Sequence, residues 1–260
     1  MTIPIYWADA FSTGPFTGNP AAVCVLQDWL DDELMQAIAR QNNLSETAFI
    51  VADDRGWQIR WFTPTAEVDL CGHATLASAA VICRYLQPGV ELIEFSSRSG
   101  ALQVRRDDEY MVLIFPARPP RTEEPKELLA AALGAMPEAA WRADYLLAVF
   151  ADQEQICQLD PDFALVAELG NTGIIVTAPG QAPSDFVSRF FAPAVGVNED
   201  PATGSAHCTL VPYWAARLGR ADLNAKQLSS RGGEFRCRML GDTVEIGGHV
   251  RHYLQGTLEL

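Results

Sequence analysis

A chain of 260 residues, 48% of them hydrophobic, can bury the core of one large domain or two moderate ones. Its 33 acidic against 19 basic residues give a formal net charge of −14, which argues against nucleic acid or an anionic membrane as partner, since both need a basic face. No apolar run spans a bilayer, no signal peptide is visible in MTIPIYWADAF, and the six cysteines (24, 71, 83, 157, 208 and 237) include no CxxC pair, so free thiols in a reducing, cytoplasmic setting are expected.

IPIYWADAF and AAVCVL read as strands separated by the turn-rich STGPFTGNP. DDELMQAIARQNN reads as an amphipathic helix, with Leu30, Leu34 and Ile38 at helical spacing, acids at its start and Asn42-Asn43 at its end. ETAFIVA and WQIRWFT read as strands. The run from Ala74 to Tyr85 carries one charge, Arg84, and an all-apolar helix belongs in a core. Three strands follow: ELIEFSS, ALQVRR and YMVLIFP. ARPPRTEEPKE (117–127) reads as a linker between lobes, and LLAAALG as a short helix. YLLAVFA, GIIVTA, DFVSRFFAP, FRCRML, TVEIGG and YLQGTLEL read as separate strands. TGSAHCTLVPYWAARLG is a second apolar helix, which Pro212 is predicted to kink or shorten.

An internal repeat orders these elements. FTPTAEVDLCGHATLASA starts at Phe62 and FAPAVGVNEDPATGSAHC at Phe191, an offset of 191 − 62 = 129 residues. At that offset Phe62 meets Phe191, Pro64 meets Pro193, Val68 meets Val197, Ala77 meets Ala206, and Cys71 lies opposite Asp200. In both copies an aromatic strand leads through a polar turn into an uncharged helix. Two lobes related by a pseudo-twofold axis, with a ligand cleft between them, are expected.

The two helix mouths are candidate sites. Asp200-Pro201 fits a cap followed by proline at the first helical position. Thr203, Gly204 and Ser205 leave little side chain over the first turn, so unpaired N–H groups would form an anion cradle. Gly72-His73-Ala74-Thr75 offers the same in the first copy. One copy alone reads as a well-capped helix; two matched copies, one with His and one with Asp, favour a site. In NLSETAF, Glu46 precedes an apolar run. Desolvation there would raise its pKa and helix N-termini would lower it. On that stretch alone Glu46 reads as a loop acid or a cap. No metal ligand set is evident: His207-Cys208 are adjacent, and His249 and His252 fall on opposite faces of a strand. STGPFTGN lacks the GK[ST] of a P-loop and reads as a turn placing Asn19 near the site.

Together FxGNPAAV (Phe16 to Val23), NLSETAF, FTPxxEVxLCGHAT and EDPATGSA resemble the PhzF-like phenazine-biosynthesis isomerase family, from Tyr6 to the C-terminal GTLEL. The resemblance implies an α+β, diaminopimelate epimerase-like fold: two pseudo-symmetric lobes, each a mostly antiparallel sheet around a central buried helix. It places residues 1–117, joined by the strand 251–260, in one lobe and 118–250 in the other, with the active site in the cleft. It implies Glu46 as catalytic acid/base, with His73, Asp200 and Ser205 as catalytic partners. Gly72, Ala74, Thr203, Gly204 and Asn19 would bind substrate, and Cys71 would modulate the site. The implied reaction shifts a proton on a small carboxylate-bearing substrate without metal or organic cofactor, in a homodimer. Two alternatives stay open: a catalytically silent binding or interaction protein of the same fold, and a two-thiol racemase using Cys71, whose second thiol is missing.

Overall fold

The computed structural model describes residues 1–170 and 173–260. The chain divides into two compact units, one of Met1–Ile114 with Gly247–Leu260 and one of Phe115–Ile246. Among the described residues no helix is long and apolar enough to cross a membrane.

The first unit contains β1 (Thr2–Ala10), β2 (Asn19–Leu26), α1 (Asp32–Asn42), β3 (Glu46–Asp53), β4 (Gly56–Phe62), β5 (Glu67–Val68), α2 (Gly72–Val81), β6 (Leu92–Ser97), β7 (Gly100–Asp107) and β8 (Tyr110–Pro116). Its strands run in the order β1-β2-β3-β4-β6-β7-β8, and the last strand of the chain, Thr243–Glu259, pairs with both β1 and β8. The sheet therefore closes on itself around α2, all ten residues of which are buried. Sequence dictates this placement. Ala74, Ala77, Ala79 and Ala80 let strands approach closely, and the buried hydroxyls of Thr75 and Ser78 return to Cys71 O (2.6 Å) and Ala74 O (2.7 Å). The outer face carries α1, whose Met35, Ile38 and Ala39 pack on Ile3, Ile5, Cys24, Phe49 and Val51. With both faces covered, β2 and β3 read as continuous apolar runs rather than alternating ones. The helix expected to reach Tyr85 ends at Val81, and Ile82–Leu86 continues it as a π-turn, with Gln87 N donating to Ile82 O at 2.7 Å.

The second unit contains β9 (Thr122–Glu123), α3 (Lys126–Leu133), β10 (Ala139–Arg142), β11 (Leu146–Val149), α4 (Gln153–Gln158), α5 (Phe163–Glu168), β12 (Ile174–Pro179), β13 (Phe186–Phe191), α6 (Gly204–Leu218), β14 (Asp222–Gln227) and β15 (Gly233–Leu240). The last strand is β16 (Thr243–Glu259), one 17-residue strand where the sequence suggested two, because Gly247-Gly248 does not interrupt it. On one face of this sheet Leu146, Ala148, Ile174, Val176, Val187 and Phe191 pack on α3, α4 and α5. On the other, Phe186 stacks on Trp214 of α6 (5.6 Å, 4°), whose Nε1–H reaches Thr177 Oγ1 at 3.0 Å.

Two expectations are corrected together. Pro212 does not shorten α6, which runs from Gly204 to Leu218. Its missing N–H would have bonded the Cys208 carbonyl; that carbonyl accepts the Arg118 N–H instead, at 2.8 Å. The segment 117–127 is accordingly not a free linker. Ala117 N also donates to Asp242 O (2.8 Å), and β9 pairs with β10.

The repeat is real but its register changes. Phe62 and Phe191 both end a strand, 129 residues apart, whereas α2 and α6 start at Gly72 and Gly204, 204 − 72 = 132 apart. The second turn is longer by three residues and contains a 3-10 turn, Pro193–Val195. The structural counterpart of Cys71 is therefore Thr203, not Asp200, and that of His73 is Ser205. Each copy braces its turn alike. Arg60 grips Glu67 with both carboxylate oxygens (2.7 and 2.8 Å), and Arg189 grips Glu199 (2.7 and 3.1 Å). Both guanidinium groups lie over the phenylalanine two residues on, Phe62 at 5.2 Å and Phe191 at 4.9 Å.

Candidate active site

In the first unit three segments bring polar groups to the mouth of α2. Helix α1 ends with Asn43 in the left-handed conformation (φ 50°), turning the chain so that Glu46 opens β3. Glu46 stands opposite Ala21 of β2, two residues beyond Asn19. Asn19 follows Gly18, where φ is +78° and a Cβ would lie 2.4 Å from Ala10 O, so only glycine makes this turn. Cys71 takes the position before α2, with no side-chain cap on the helix, and His73 follows in its first turn.

His73 is the hub. Its Nε2 lies 3.1 Å from Glu46 Oε2, with side-chain exposures of 6% and 15%. The approach is an ion-pair distance without linear N–H···O alignment, and both atoms are buried with no other hydrogen-bond partner. His73 Nδ1 lies 3.2 Å from Asn19 Nδ2 and 3.5 Å from Cys71 Sγ. With Nδ2 donating, the imidazole carries its proton on Nε2, facing Glu46; the charged ring requires the Asn19 amide to turn and accept.

Burial pushes the His73 pKa down, but Cys71 and Glu46 push it up by more and hold it well above the ordinary histidine value. Burial, reinforced by the Glu46 charge, pushes the Cys71 thiol up to about 11. Burial thus favours the neutral form of the Cys71 thiol. Donor atoms of Glu46, Cys71 and His73 lie within 4.8 Å of one another, a spacing that could hold an ion. However, Glu46 and Cys71 reach opposite ring nitrogens, whose lone pairs diverge, so an ion on one nitrogen would be poorly placed for both of the other ligands. The arrangement suits proton movement between Glu46 and His73 better, with the Asn19 amide orienting the ring. Gly72 and Ala74 are buried beside it.

The second unit holds the other predicted residues. Asp200 does not cap α6, as expected from Asp200-Pro201; the position before the helix is Thr203. Asp200 accepts from Thr203 Oγ1 (2.5 Å) and donates its N–H to Phe190 O (3.0 Å). The Thr203 N–H is not open to a ligand either, because Gln227 Oε1 accepts it at 2.8 Å. Gln227, fully buried, also donates to Asp200 O (2.6 Å) and Thr203 Oγ1 (3.1 Å). Ser205 meets the Tyr145 hydroxyl at 3.0 Å, and burial raises the Tyr145 pKa. Gly204 is the first residue of α6 and is buried. Sequence reasoning missed Gln227 and Tyr145, since each comes from a distant strand or strand end and no local motif marks it. His207 belongs to the core: it stacks on Phe235 at 3.8 Å, Nδ1 lies 2.9 Å from Thr203 O, and burial lowers its pKa to about 4.

The chain is similar to known proteins in sequence and in fold. The sequence profile described as phenazine biosynthesis-like protein (PhzC-PhzF) matches residues 8–256. The chain is 52% identical, over all of both chains, to an uncharacterized isomerase of Pseudomonas aeruginosa. It is similar to the crystal structure of a PhzF-family protein of Enterococcus faecalis, at 44% identity and TM-score 0.96 over all of both chains. It also shares its fold with a hydroxyproline epimerase of Agrobacterium vitis, at 10% identity and TM-score 0.65, over 99% of this chain and 92% of that one.

Proposed function

The chain belongs to the PhzF phenazine biosynthesis-like family and is an isomerase, and on that premise we propose that Glu46 is the acid/base that shifts a proton on a small carboxylate-bearing substrate. The observation that carries the reading is the pairing of a largely buried Glu46 carboxylate with His73 Nε2 at 3.1 Å, neither atom otherwise bonded. Glu46 takes a proton from carbon next to an unsaturated or carboxyl-bearing centre. The electron pair left behind is delocalised into that centre, and after exchange with solvent a proton is returned to carbon at the product position by Glu46 or through His73. First-turn N–H groups of α2, which no side chain caps, supply donors for the developing negative charge. A positioned acid/base contributes about 10²–10⁴ in rate, so preorganised donors must supply much of the remainder.

The proposal also gives Asp200 and Ser205 polar roles in this reaction. Its support there is the sequence repeat and the motif EDPATGSA. Asp200 would be held by Thr203 and Gln227, and Ser205 would be oriented by Tyr145.

The two-thiol racemase is disfavoured on two counts. Burial favours the neutral Cys71 thiol, and threonine occupies the equivalent position at 203. A test is to incubate the protein in D2O with a panel of small acids bearing a C–H next to a carboxylate or an alkene. Deuterium appearing in one of them by NMR supports the reading. No exchange across amino, hydroxy and unsaturated acids would count against it.

A further inference from the structure

A cavity of about 160 Å³ in the second unit is lined by Arg118, Pro119, Arg121, Thr122, Arg142 and the Ala143-Asp144 pair. Three guanidinium groups around one cavity are unexpected in a chain of formal net charge −14. Their placement is built in. Arg118-Pro119-Pro120-Arg121 contains two prolines with fixed φ, and an extended polyproline segment turns once every three residues, which sets Arg118 and Arg121 on one side. Both ends are pinned: Arg118 N donates to Cys208 O (2.8 Å) and Arg121 N to Arg142 O (2.9 Å).

The positive charge is only partly answered. Arg142 pairs with Glu124 at 2.6 Å, and Arg118 reaches Asp144 at a long 3.5 Å, with both side chains about half exposed or more. Arg121 makes no side-chain hydrogen bond or ion pair among the described residues. The Thr122 hydroxyl adds a neutral donor to the lining.

We propose that this cavity is a second ligand site that takes a phosphoryl group, either free phosphate or the phosphate of a small monoester. Guanidinium groups match tetrahedral oxyanions with paired, charge-assisted hydrogen bonds, and an acidic protein overall needs such a local cluster to hold an anion. The site does not depend on Glu46 chemistry. Because Arg118 N bonds the carbonyl left open by Pro212, and Asp144 precedes the Tyr145 that touches Ser205, an occupant also braces the first turns of α6.

The test is calorimetric titration of the full chain with inorganic phosphate and with glycerol 3-phosphate at low ionic strength. Saturable one-to-one binding is expected, weakened about tenfold or more by Arg121→Ala and unchanged by Arg55→Ala, a surface control in the first unit. Tighter binding of the monoester would identify an organic ligand, and tighter binding of phosphate the free ion; either upholds the site. Absence of saturation with both probes, or an equal loss in Arg121→Ala and Arg55→Ala, would overturn it. Circular dichroism checks that each variant is folded.

Discussion

Arg60 holds Glu67 by two hydrogen bonds, at 2.7 and 2.8 Å, five residues before α2 begins. Both side chains are about 16% exposed, so the pair is not a solvent-screened surface bridge. Arg60→Lys loses the paired geometry and is expected to destabilise the protein by about 1–3 kcal/mol. Arg189→Lys should do the same through Glu199, and the two losses should add, because the pairs share no partner. Urea unfolding of the two variants and the double variant checks this.

Gln227 satisfies the Thr203 N–H, the Asp200 carbonyl and the Thr203 hydroxyl with one amide. Gln227→Ala removes the partner of the buried Thr203 N–H and of the Asp200 carbonyl, at about 1–3 kcal/mol for each that finds no water, while the Thr203 hydroxyl keeps its bond to Asp200. The melting temperature should fall, and turnover should fall further than Ser229→Ala lowers it, since the Ser229 hydroxyl bonds the neighbouring Pro201 carbonyl (2.6 Å) and the Gly232 N–H (3.0 Å) rather than Asp200 or Thr203. Equal effects of the two variants on turnover would contradict the positioning role given to Gln227.

Three histidines shift stability with pH, His207 and His252 in one direction and His73 in the other. Burial lowers the His207 pKa to about 4, below its value in the unfolded chain. Between about pH 6.5 and 4 the unfolded state therefore binds a proton that the native state refuses, and stability is lost as pH falls through this window. His252, lowered to about 4 by burial and then by Arg84, adds in the same direction. His73 is raised, so its contribution is complete below about pH 6.5 and is lost as pH rises through its folded value. Denaturant midpoints should thus pass through a maximum, and His207→Gln should flatten the acid side while His73→Gln flattens the basic side.

Cysteine labelling separates the proton-shuttle reading from thiol chemistry. Cys157 is exposed, whereas Cys24, Cys71, Cys83, Cys208 and Cys237 are buried. With Cys71 raised to about 11, iodoacetamide at pH 8 should label Cys157 first and leave activity intact. Loss of activity in step with modification of Cys71 would restore the thiol mechanism.

The sequence made the two buried helices and most strands legible because long apolar runs with turn residues between them leave few alternatives. The Glu46, His73 and Asn19 constellation was legible only as three motifs, through a family resemblance; the contact itself depends on the parallel pairing of β2 with β3. Other features were closed to local reasoning. Helices α4 and α5 are six residues each, too short for a period to show, although their Asp152 and Asp162 caps are ordinary. Pro212 is tolerated only because a backbone N–H ninety-four residues earlier (212 − 118 = 94) takes over the orphaned carbonyl. The three-residue change of register hid the true partner of Cys71, since one ungapped offset cannot align both the strand ends and the helix starts.

The most direct test of the account is Glu46→Gln, an isosteric change that keeps hydrogen bonding near His73 and removes the base. The measurement is solvent deuterium incorporation into the small acid that the wild-type protein labels, followed by NMR, with calorimetry of the same acid as the binding control. Exchange should fall at least about 10²-fold while binding stays within about tenfold. Exchange at close to the wild-type rate in a folded Glu46→Gln protein would contradict the account.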